Sequence, residues 1–391
     1  MTRTWLFVDA ATAFGGHEVM LLRWIEELQK DGSGVRPRLL ARSGGRLHQL
    51  ASDASRAAPL PEQGGAGALG RLMQRWQEAL ALRRAMKHER PECVVFASGA
   101  LGAQVPWVLL ARLWGARVLV YVPLLDTFVA MGYRAGWIKD LFVRALYSAV
   151  PQGWVAISAG QAAHFRDWAR PRGPVHVLPN TVAREIEDAP RIVPRELAAD
   201  EPLRVLVLGR MDAQQKGLDF LLDHLEATLP QGPGGFHLSL VGEGPYRGII
   251  EARCAANPAL ARCVTVGSWM PAREALAAND VLFMPSRFEG VPLVMLEAMA
   301  LGVPVVGSDL PGVRAHVAPE HLFPVGDMAQ AFERLNALRA RAARELAAAQ
   351  GRAAYEAGAS SGAFAAAVAS LTQAARATST TPREVEPLIL H

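Results

Sequence analysis

The sequence has 391 residues, of which 51% are hydrophobic and 20% are charged. This composition excludes an intrinsically disordered chain, and the length suits two domains of roughly 180 residues better than a single core. The three cysteines are not spaced as in metal-binding motifs, and an odd count is typical of a reducing compartment. Because Gly, Pro and Arg interrupt the most apolar region, residues 93–131, we expect no membrane-spanning helix there. The short apolar run at the N-terminus ends in Asp9 and has no convincing cleavage site, so we expect no secretion signal.

Positive charge is concentrated in the first half of the chain. Residues 1–180 contain 22 Lys and Arg against 13 Asp and Glu, a net charge of +9, while the remainder has 19 against 24, a net charge of −5. A basic half can attract an anionic membrane or a phosphorylated partner. Residues 69–87 form an Arg-rich amphipathic pattern with Trp76 among its apolar residues, which fits a helix on a membrane or, more commonly, a helix that covers a sheet. Nothing in the sequence supports nucleic-acid binding.

Short apolar runs alternate with helical patterns through the first half, which predicts βαβ units and a parallel sheet. The first strand is followed by a Gly15-Gly16 turn, and such a turn brings backbone close to a ligand. His17-Glu18 opens like a zinc-protease motif, but no second histidine follows at the required spacing, so no metal site is predicted. The predicted strands are residues 4–8, 37–41, 94–97, 118–122, 155–158 and 175–178.

Asp126 follows the strand at residues 118–122 and is a candidate catalytic residue. Functional groups gather at the carboxyl ends of parallel strands, although an aspartate in this place can also cap its own loop. His164, inside the helix predicted after residues 155–158, is interpreted as a packing or surface residue.

The second half repeats the rhythm of strands and helices after a Pro-rich linker. A strand at residues 203–208 leads into Gly209-Arg210, and Lys216 follows in a chain that contains only four lysines. Two fixed cations can stabilise the negative charge of a departing phosphate group. The Gly242-Glu243 turn does not have the glycine spacing of a dinucleotide fingerprint, which disfavours NAD binding.

The most informative stretch is residues 284–312, which read MPSRFEGVPLVMLEAMALGVPVVGSDLPG. A buried strand ends in a polar loop, and Pro292 stands where a helix would begin. The N-terminus of a helix attracts phosphate through its unpaired N–H groups and its dipole. Glu289 in the loop and Glu297 in the apolar helix are suited to different parts of one ligand, since an unpaired buried carboxylate would be costly.

The pattern Glu289-x7-Glu297 resembles the donor-sugar motif of the retaining glycosyltransferases of family 4, which have the GT-B fold. The Arg210 and Lys216 element and the Gly15-Gly16 turn are similar to two further motifs of this family. The resemblance spans nearly the whole chain, although the specific motifs lie between residues 210 and 312. It implies an α/β fold of two Rossmann-like parallel-sheet domains that face each other across a cleft, with a C-terminal helix that returns to the first domain.

The resemblance also implies roles for individual residues. Glu289 would lie beside the donor sugar, Glu297 would bind the nucleotide ribose, and Arg210 with Lys216 would hold the diphosphate. Many family members carry a histidine near Asp126, and its absence here leaves the acceptor side of the site open. The expected catalytic residues are Glu289, Arg210, Lys216 and Asp126, and the expected donor-binding residues are Gly16, Arg210, Lys216, Gly242, Glu243, Glu289, Gly290, Val291, Pro292, Leu293 and Glu297.

These features predict a retaining glycosyltransferase that uses a UDP- or GDP-sugar as co-substrate and needs neither a cofactor nor a metal. The expected acceptor is a glycan or lipid-linked molecule of surface-polysaccharide or lipopolysaccharide biosynthesis. The predicted location is the cytoplasm, with peripheral contact between the basic first domain and the inner face of the membrane. The alternatives are an inactive GT-B partner subunit that binds a sugar nucleotide and a hydrolase that uses Glu289 and Glu297 as a carboxylate pair.

The expected domain boundaries follow from the same patterns. Residues 1–183 form an acceptor-binding domain, residues 184–202 a hinge linker, and residues 203–360 a nucleotide-sugar-binding domain. Residues 361–377 form the returning helix and residues 378–391 a loose tail.

Overall fold

The structure is a computed structural model that describes residues 2–11, 15–30, 32–53, 55–57, 59–62, 68–97, 101, 104–228 and 235–377. The tail predicted at residues 378–391 lies outside the described residues. None of the helices in the described ranges combines the length and the hydrophobicity that a bilayer-spanning helix requires.

The first domain is a six-stranded sheet with the order β2-β1-β3-β4-β5-β6, and every pairing within it is parallel. Its strands read as continuous apolar runs because helices cover both faces of the sheet. The strands are β1 Arg3–Asp9, β2 Val35–Ala41, β3 Cys93–Ala97, β4 Arg117–Tyr121, β5 Gly153–Ala156 and β6 Val175–Val177. The helices are α1 Gly16–Gln29, α2 Arg46–Leu50, α3 Ala68–Glu89, α4 Val105–Leu113, α5 Gly136–Ala145, α6 Ala159–Ala169 and, in the linker, α7 Arg184–Glu187.

The second domain repeats this plan with a parallel sheet of order β12-β11-β10-β7-β8-β9. Its strands are β7 Leu203–Leu208, β8 Phe236–Val241, β9 Val264–Gly267, β10 Val281–Met284, β11 Val305–Ser308 and β12 Leu322–Phe323. Its helices, and the last helix of the described chain, are α8 Ala213–Lys216, α9 Leu218–Thr228, α10 Arg247–Ala256, α11 Pro258–Cys263, α12 Ala272–Ala277, α13 Leu293–Leu301, α14 Pro311–Arg314, α15 Met328–Ala337, α16 Arg341–Gly358 and α17 Ser361–Ala377.

One hydrophobic core joins the two domains. It contains Trp24 from α1, Met295 from α13 and Leu371 from α17, all of them buried. The last helix also reaches β4, where Arg117 donates a hydrogen bond of 2.6 Å to the carbonyl of Ala375. The predicted α/β architecture with two Rossmann-like sheets and a returning C-terminal helix is therefore confirmed.

Helix α3 covers the first sheet, as the commoner interpretation of its amphipathic pattern predicts. Leu82 and Ala85 lie in the core beneath the helix, whereas Trp76 is 66% exposed. The outer side of α3 therefore presents apolar side chains such as Trp76 together with exposed basic residues such as Arg75 and Arg83.

Candidate active site

The loop between β10 and α13 forms the centre of the candidate site. Pro292 is the N-cap of α13 in an extended conformation, and Gly302 ends the helix with a φ of 79°. α13 is buried on nearly every side and, apart from Glu297, is apolar around its circumference. Its N-terminus is fixed in place and presents unpaired N–H groups to the loop.

Lys216 and Glu289 lie 73 positions apart in the sequence and meet beside this loop. Lys216 Nζ donates to Glu289 Oε1 at 2.5 Å, and Ser286 Oγ donates to the same oxygen at 3.0 Å. The two charged side chains are 19% and 9% exposed. Asp212 caps the short helix that ends at Lys216, because its carboxylate accepts the backbone N–H of Gln215 at 3.0 Å. A largely buried ion pair therefore fixes the position of the Glu289 carboxylate beside Lys216.

Arg287 fixes the loop to the rest of the domain, a role that the sequence interpretation missed. Its guanidinium donates to both carboxylate oxygens of Asp219, at 2.7 and 2.6 Å, and lies 3.6 Å from the centre of the Phe220 ring. The hydrogen bonds from Arg287 hold the pKa of Asp219 below its usual range. The only sequence feature that could have indicated this contact was the presence of an arginine in the loop that precedes the N-terminus of α13. Its effect is to restrict the position of Glu289, two residues away.

The loops that carry Arg210 and Glu243 pack closely against each other at Gly209 and Gly242. Gly242 has a φ of 150°, and a Cβ there would overlap the carbonyl of Gly209. The backbone N–H of Met211 donates to the carbonyl of Glu243 at 2.8 Å. Arg210 itself is exposed and lines a small cavity together with Lys216. The structure therefore places both predicted cations, Arg210 and Lys216, at one opening.

The Glu243 side chain forms an ion pair with Arg247. Its Oε1 atom accepts a hydrogen bond of 3.2 Å from Arg247, and the carboxylate is 58% exposed. Arg247 also donates to the carbonyls of Gly242 and Gly267 at 3.0 and 3.1 Å. The visible function of this pair is to brace the turn after β8.

Glu297 faces the first domain and is matched there by Arg23 of α1. Burial raises the pKa of Glu297, and the positive charge of Arg23 opposes this shift. Burial also lowers the pKa of Arg23, and the charge of Glu297 counteracts that effect. Arg23 additionally donates to the carbonyl of Thr181. The predicted cost of an isolated buried carboxylate is thus reduced by a cation from the other domain, which no local pattern in the sequence could indicate.

The first domain contacts the backbone of the loop between β10 and α13, called here the donor loop after its predicted role, at two positions. A Cβ added to Gly290 would lie 2.6 Å from the carbonyl oxygen of Pro123. The Asn180 amide donates to the carbonyl of Val291 at 2.7 Å. Only glycine fits this approach, so the loop lies directly against the first domain.

The Gly15-Gly16 turn reaches the same helix N-terminus from another direction. A Cβ on Gly16 would be 3.5 Å from Leu293 Cδ1, an ordinary van der Waals contact. Of the predicted donor-binding residues, the structure therefore brings Gly16, Gly290, Val291, Pro292 and Leu293 to the interface between the domains.

Asp126 lies after β4 and is paired with a residue that the sequence interpretation set aside. His164 Nε2 is 3.2 Å from Asp126 Oδ1, and the same oxygen accepts the N–H of Thr127 at 2.7 Å. The side chains of Asp126 and His164 are 38% and 51% exposed. Within the described residues, no contact joins Asp126 to Glu289 or Lys216. Asp126 caps its loop, and His164 stands beside it as a surface histidine.

Solved structures show the same arrangement of two facing domains. HepE of Anabaena, solved in complex with UDP-glucose, matches with a TM-score of 0.70 and 16% identity over 96% of this chain and 99% of that chain. At this identity the likeness shows the fold alone. The fold is GT-B, the two-domain architecture of many glycosyltransferases.

The chain belongs to the group 1 glycosyltransferases. The family model described as "Glycosyl transferases group 1" matches residues 202–340, and that described as "Glycosyl transferase 4-like domain" matches residues 15–181. The amylovoran biosynthesis glycosyltransferase AmsK of Erwinia amylovora is 32% identical over 34% of this chain and 35% of that protein. The sulfoquinovosyl transferase SQD2 of Arabidopsis thaliana is 29% identical over 66% of this chain and 50% of that protein. The matches thus span about a third to a half of these relatives.

Proposed function

We propose that this chain is a retaining glycosyltransferase that transfers a sugar from a UDP- or GDP-sugar to a glycan or lipid-linked acceptor. The observation that carries the proposal is the ion pair of Lys216 and Glu289 beside the N-terminus of α13. Lysine has three N–H donors, and the pair uses one of them, so Lys216 can also bind a phosphate oxygen. A cation, a carboxylate and unpaired backbone donors then contact adjacent parts of one sugar nucleotide.

The diphosphate is bound by fixed positive charge in this proposal. Arg210 and Lys216 line one opening, and the amides of Val291 and Leu293 lie at the helix N-terminus. Pro292 has no N–H and contributes only its fixed backbone conformation. As the bond to the sugar breaks, negative charge grows on the leaving diphosphate, and these groups stabilise it. Glu297 binds the ribose hydroxyls deeper in the cleft, and the transfer uses no metal or cofactor.

The transfer is written as a front-face substitution. The bond between the sugar C1 and the acceptor oxygen forms as the bond between C1 and the diphosphate oxygen breaks, so the anomeric configuration is retained. The acceptor proton passes to the departing phosphate oxygen, which explains why no dedicated base is needed. Glu289, held in position by Lys216, stabilises the positive charge that develops on the sugar.

We further propose that the acceptor reaches the site from an anionic membrane surface, as part of surface-polysaccharide or lipopolysaccharide biosynthesis by a cytoplasmic enzyme. Helices α3, α4 and α5 pack from one side onto the same core of the first domain. Exposed apolar patches of this kind mark interaction sites. The exposed apolar side chains on and beside these helices are called here the outer apolar face, and they are those of Trp76, Leu113, Trp114, Trp137, Ile138, Leu141, Phe142 and Leu146.

Charge and position favour a lipid bilayer as the occupant of the outer apolar face. Arg134, Lys139 and Arg144 are exposed on and beside α5, and tryptophan interleaved with basic residues is typical of the membrane interface. The carboxylate of Asp140, also on α5, accepts the N–H of Phe128 at 2.7 Å and so holds the loop that follows Asp126. A lipid-linked acceptor would therefore enter beside the membrane-facing helix.

The test is a ligand screen of wild type and two variants by thermal unfolding. UDP, GDP and ADP and their common sugar conjugates are added at increasing concentration, and about 100 times Kd should stabilise wild type by roughly 2.7 kcal/mol. Lys216→Ala removes a charge-assisted hydrogen bond and should weaken binding by roughly 10- to 100-fold, since such bonds contribute about 1.5–3 kcal/mol. Glu297→Gln should weaken nucleoside binding with little effect on free diphosphate.

The matched control is Lys30→Ala, which removes a lysine that is 48% exposed and paired with Glu27 on α1. This variant should bind like wild type. No response to any nucleotide, or equal losses in Lys30→Ala and Lys216→Ala, would contradict the donor site. Nucleotide binding without transfer to any lipid or glycan acceptor would favour an inactive partner subunit, and release of free sugar without an acceptor would favour a hydrolase.

A further inference from the structure

A buried cluster of two carboxylates and one imidazole lies at the end of β1. Asp9 is the last residue of β1, and His17 and Glu18 lie in the first turn of α1. The side chains of Asp9 and Glu18 are almost fully buried, with exposures of 1% and 2%. One ligand atom from each of the three residues lies within 4.8 Å of the other two. The cluster is separate from the donor residues of the second domain.

The outer oxygen of each carboxylate already has a backbone partner. Asp9 Oδ1 accepts the N–H of Ala11 at 2.7 Å, and Glu18 Oε2 accepts the N–H of Gly15 at 2.7 Å. These bonds fix both carboxylates, so that Asp9 Oδ2 and Glu18 Oε1 point to His17. The inner atoms therefore converge without any movement of the loop.

Hydrogen bonding does not satisfy the inner atoms. His17 Nε2 lies 3.3 Å from Asp9 Oδ2 and 3.0 Å from Glu18 Oε1, and one N–H cannot serve both oxygens. Among the described residues, Asp9 Oδ2, His17 Nε2 and the hydroxyl of Tyr121 are buried without a hydrogen-bond partner. Tyr121 is 1% exposed, and burial raises the pKa of its hydroxyl, with further contributions from the charges of Glu18 and Asp9. Two of the three cluster residues, Asp9 and His17, thus have an inner atom that lacks a hydrogen-bond partner.

The charge and spacing of the cluster suit a small cation. Two buried carboxylates in one cluster are costly without a compensating cation. In the described part of the chain, no lysine or arginine forms an ion pair with either carboxylate. A tetrahedral ion with bonds of about 2.0–2.1 Å holds its ligand atoms roughly 3.3 Å apart. This is close to the 3.3 and 3.0 Å that separate His17 Nε2 from Asp9 Oδ2 and Glu18 Oε1.

We propose that Asp9, His17 and Glu18 bind a divalent transition-metal ion of the Zn²⁺ class. Mixed imidazole and carboxylate ligands favour such an ion over Mg²⁺, which prefers six oxygen ligands. The ion joins the end of β1 to the start of α1 and thereby holds the Gly15-Gly16 turn against Leu293. The site goes beyond the proposed sugar transfer and supplies none of its chemistry. His17 is 15% exposed, which leaves a path for the ion from the cleft.

The experiment is a calorimetric titration of tag-free, chelator-treated full-length protein with ZnCl₂, MnCl₂ or MgCl₂, in the absence of any nucleotide. We expect one Zn²⁺ per chain and much weaker binding of Mg²⁺. His17→Asn and Asp9→Asn should each weaken Zn²⁺ binding at least 10-fold. Bound Co²⁺ should give the visible absorption of a tetrahedral site in wild type and lose it in His17→Asn.

The matched control is His164→Asn, which alters an exposed His–Asp pair of similar spacing, 3.2 Å. This variant should bind Zn²⁺ like wild type. Circular dichroism of each variant separates loss of the site from loss of the fold, and the partly exposed His17 keeps the test valid if Asp9→Asn unfolds. The proposal is overturned if wild type binds no stoichiometric Zn²⁺ or if His17→Asn binds it equally well. Because the titration contains no sugar nucleotide, its result is independent of the donor screen.

Discussion

The two walls of the cleft are built differently. On the second domain, the wall is one continuous loop, residues 285–293, and is called here the donor wall after its proposed role. The ion pair of Lys216 and Glu289 and close backbone packing hold this loop in place. On the first domain, the facing wall combines groups from β1, α1, the loop after β4 and Asn180. The donor wall depends on contacts that leave no space for a side chain, whereas the first wall depends on polar side chains. The donor wall should therefore tolerate almost no backbone change, and the first wall should respond to changes in charge.

The largest effect is expected when the packing of the donor wall is broken. A Cβ at Gly312 would overlap the carbonyl oxygen of Gly290, a backbone atom that can move only with the donor loop. Gly312→Ala should therefore destabilise the protein by about 1–3 kcal/mol, the usual cost of overpacking, and should weaken donor binding. Chemical denaturation and the nucleotide screen measure the two effects.

Gly248→Ala is the matched control for this comparison. Gly248 lies in α10 and has no atom within 4 Å of an added Cβ. The substitution should leave stability unchanged or raise it by up to about 1 kcal/mol, because alanine favours a helix over glycine. If Gly312→Ala proved as harmless as Gly248→Ala, the donor wall would not be the rigid side of the cleft.

A smaller effect is expected on the outside of the first domain. The double variant Trp137→Glu/Leu141→Glu places charge in the centre of the outer apolar face, where the two side chains are 64% and 57% exposed. Binding of this variant to vesicles that contain phosphatidylglycerol should fall by at least about 10-fold. Burial of each apolar side chain in the bilayer contributes about 1.5–3 kcal/mol to the binding of wild type. Stability should change little, because neither side chain lies in the core. Vesicle sedimentation measures the binding.

The second domain provides the control for the vesicle experiment. Trp269 is 65% exposed there, and Trp269→Glu should bind vesicles like wild type. Binding of wild type should also decrease with salt and should be weaker on neutral phosphatidylcholine. Equal losses in both variants, or no binding by wild type, would remove the membrane from the proposal.

The difference between the walls also explains what the sequence could predict. The apolar runs that became strands and the loop with Glu289 are local patterns, and each was identified with nearly the observed bounds. The charge of Arg23 acts on Glu297, and His164 pairs with Asp126, across long separations in the chain, so no spacing could indicate either relation. The family resemblance implies the donor roles, whereas the outer apolar face required the structure, since burial decides which side of α5 meets water. Local chemistry was predictable, and contacts between distant segments were not.

The smallest predicted effect connects the two walls through Glu297. Burial raises its pKa above the ordinary value of 4.5, so the folded state binds this proton more tightly than the unfolded state. Wild type therefore loses stability as the pH rises from the unfolded pKa through the folded pKa. Glu297→Gln cannot lose a proton at this position. The free energy of unfolding of this variant, relative to that of wild type, should therefore increase as the pH rises above 4.5. Denaturation series at several pH values measure this gain.

The control for Glu297→Gln has the opposite sign. Hydrogen bonds from Arg253 lower the pKa of Glu226 below 4.5, so wild type gains stability as the pH rises from the folded pKa to the unfolded pKa of this group. The free energy of unfolding of Glu226→Gln should therefore fall relative to that of wild type over the same rise in pH.

Arg23→Met should enlarge the gain in stability of Glu297→Gln over its parent protein, since it removes the cation that offsets the buried charge. If Arg23→Met left the pH dependence unchanged, the first domain would not compensate Glu297. The electrostatic link between the walls would then be absent, and the contacts at Gly290 and Asn180 alone would hold the donor loop against the first domain.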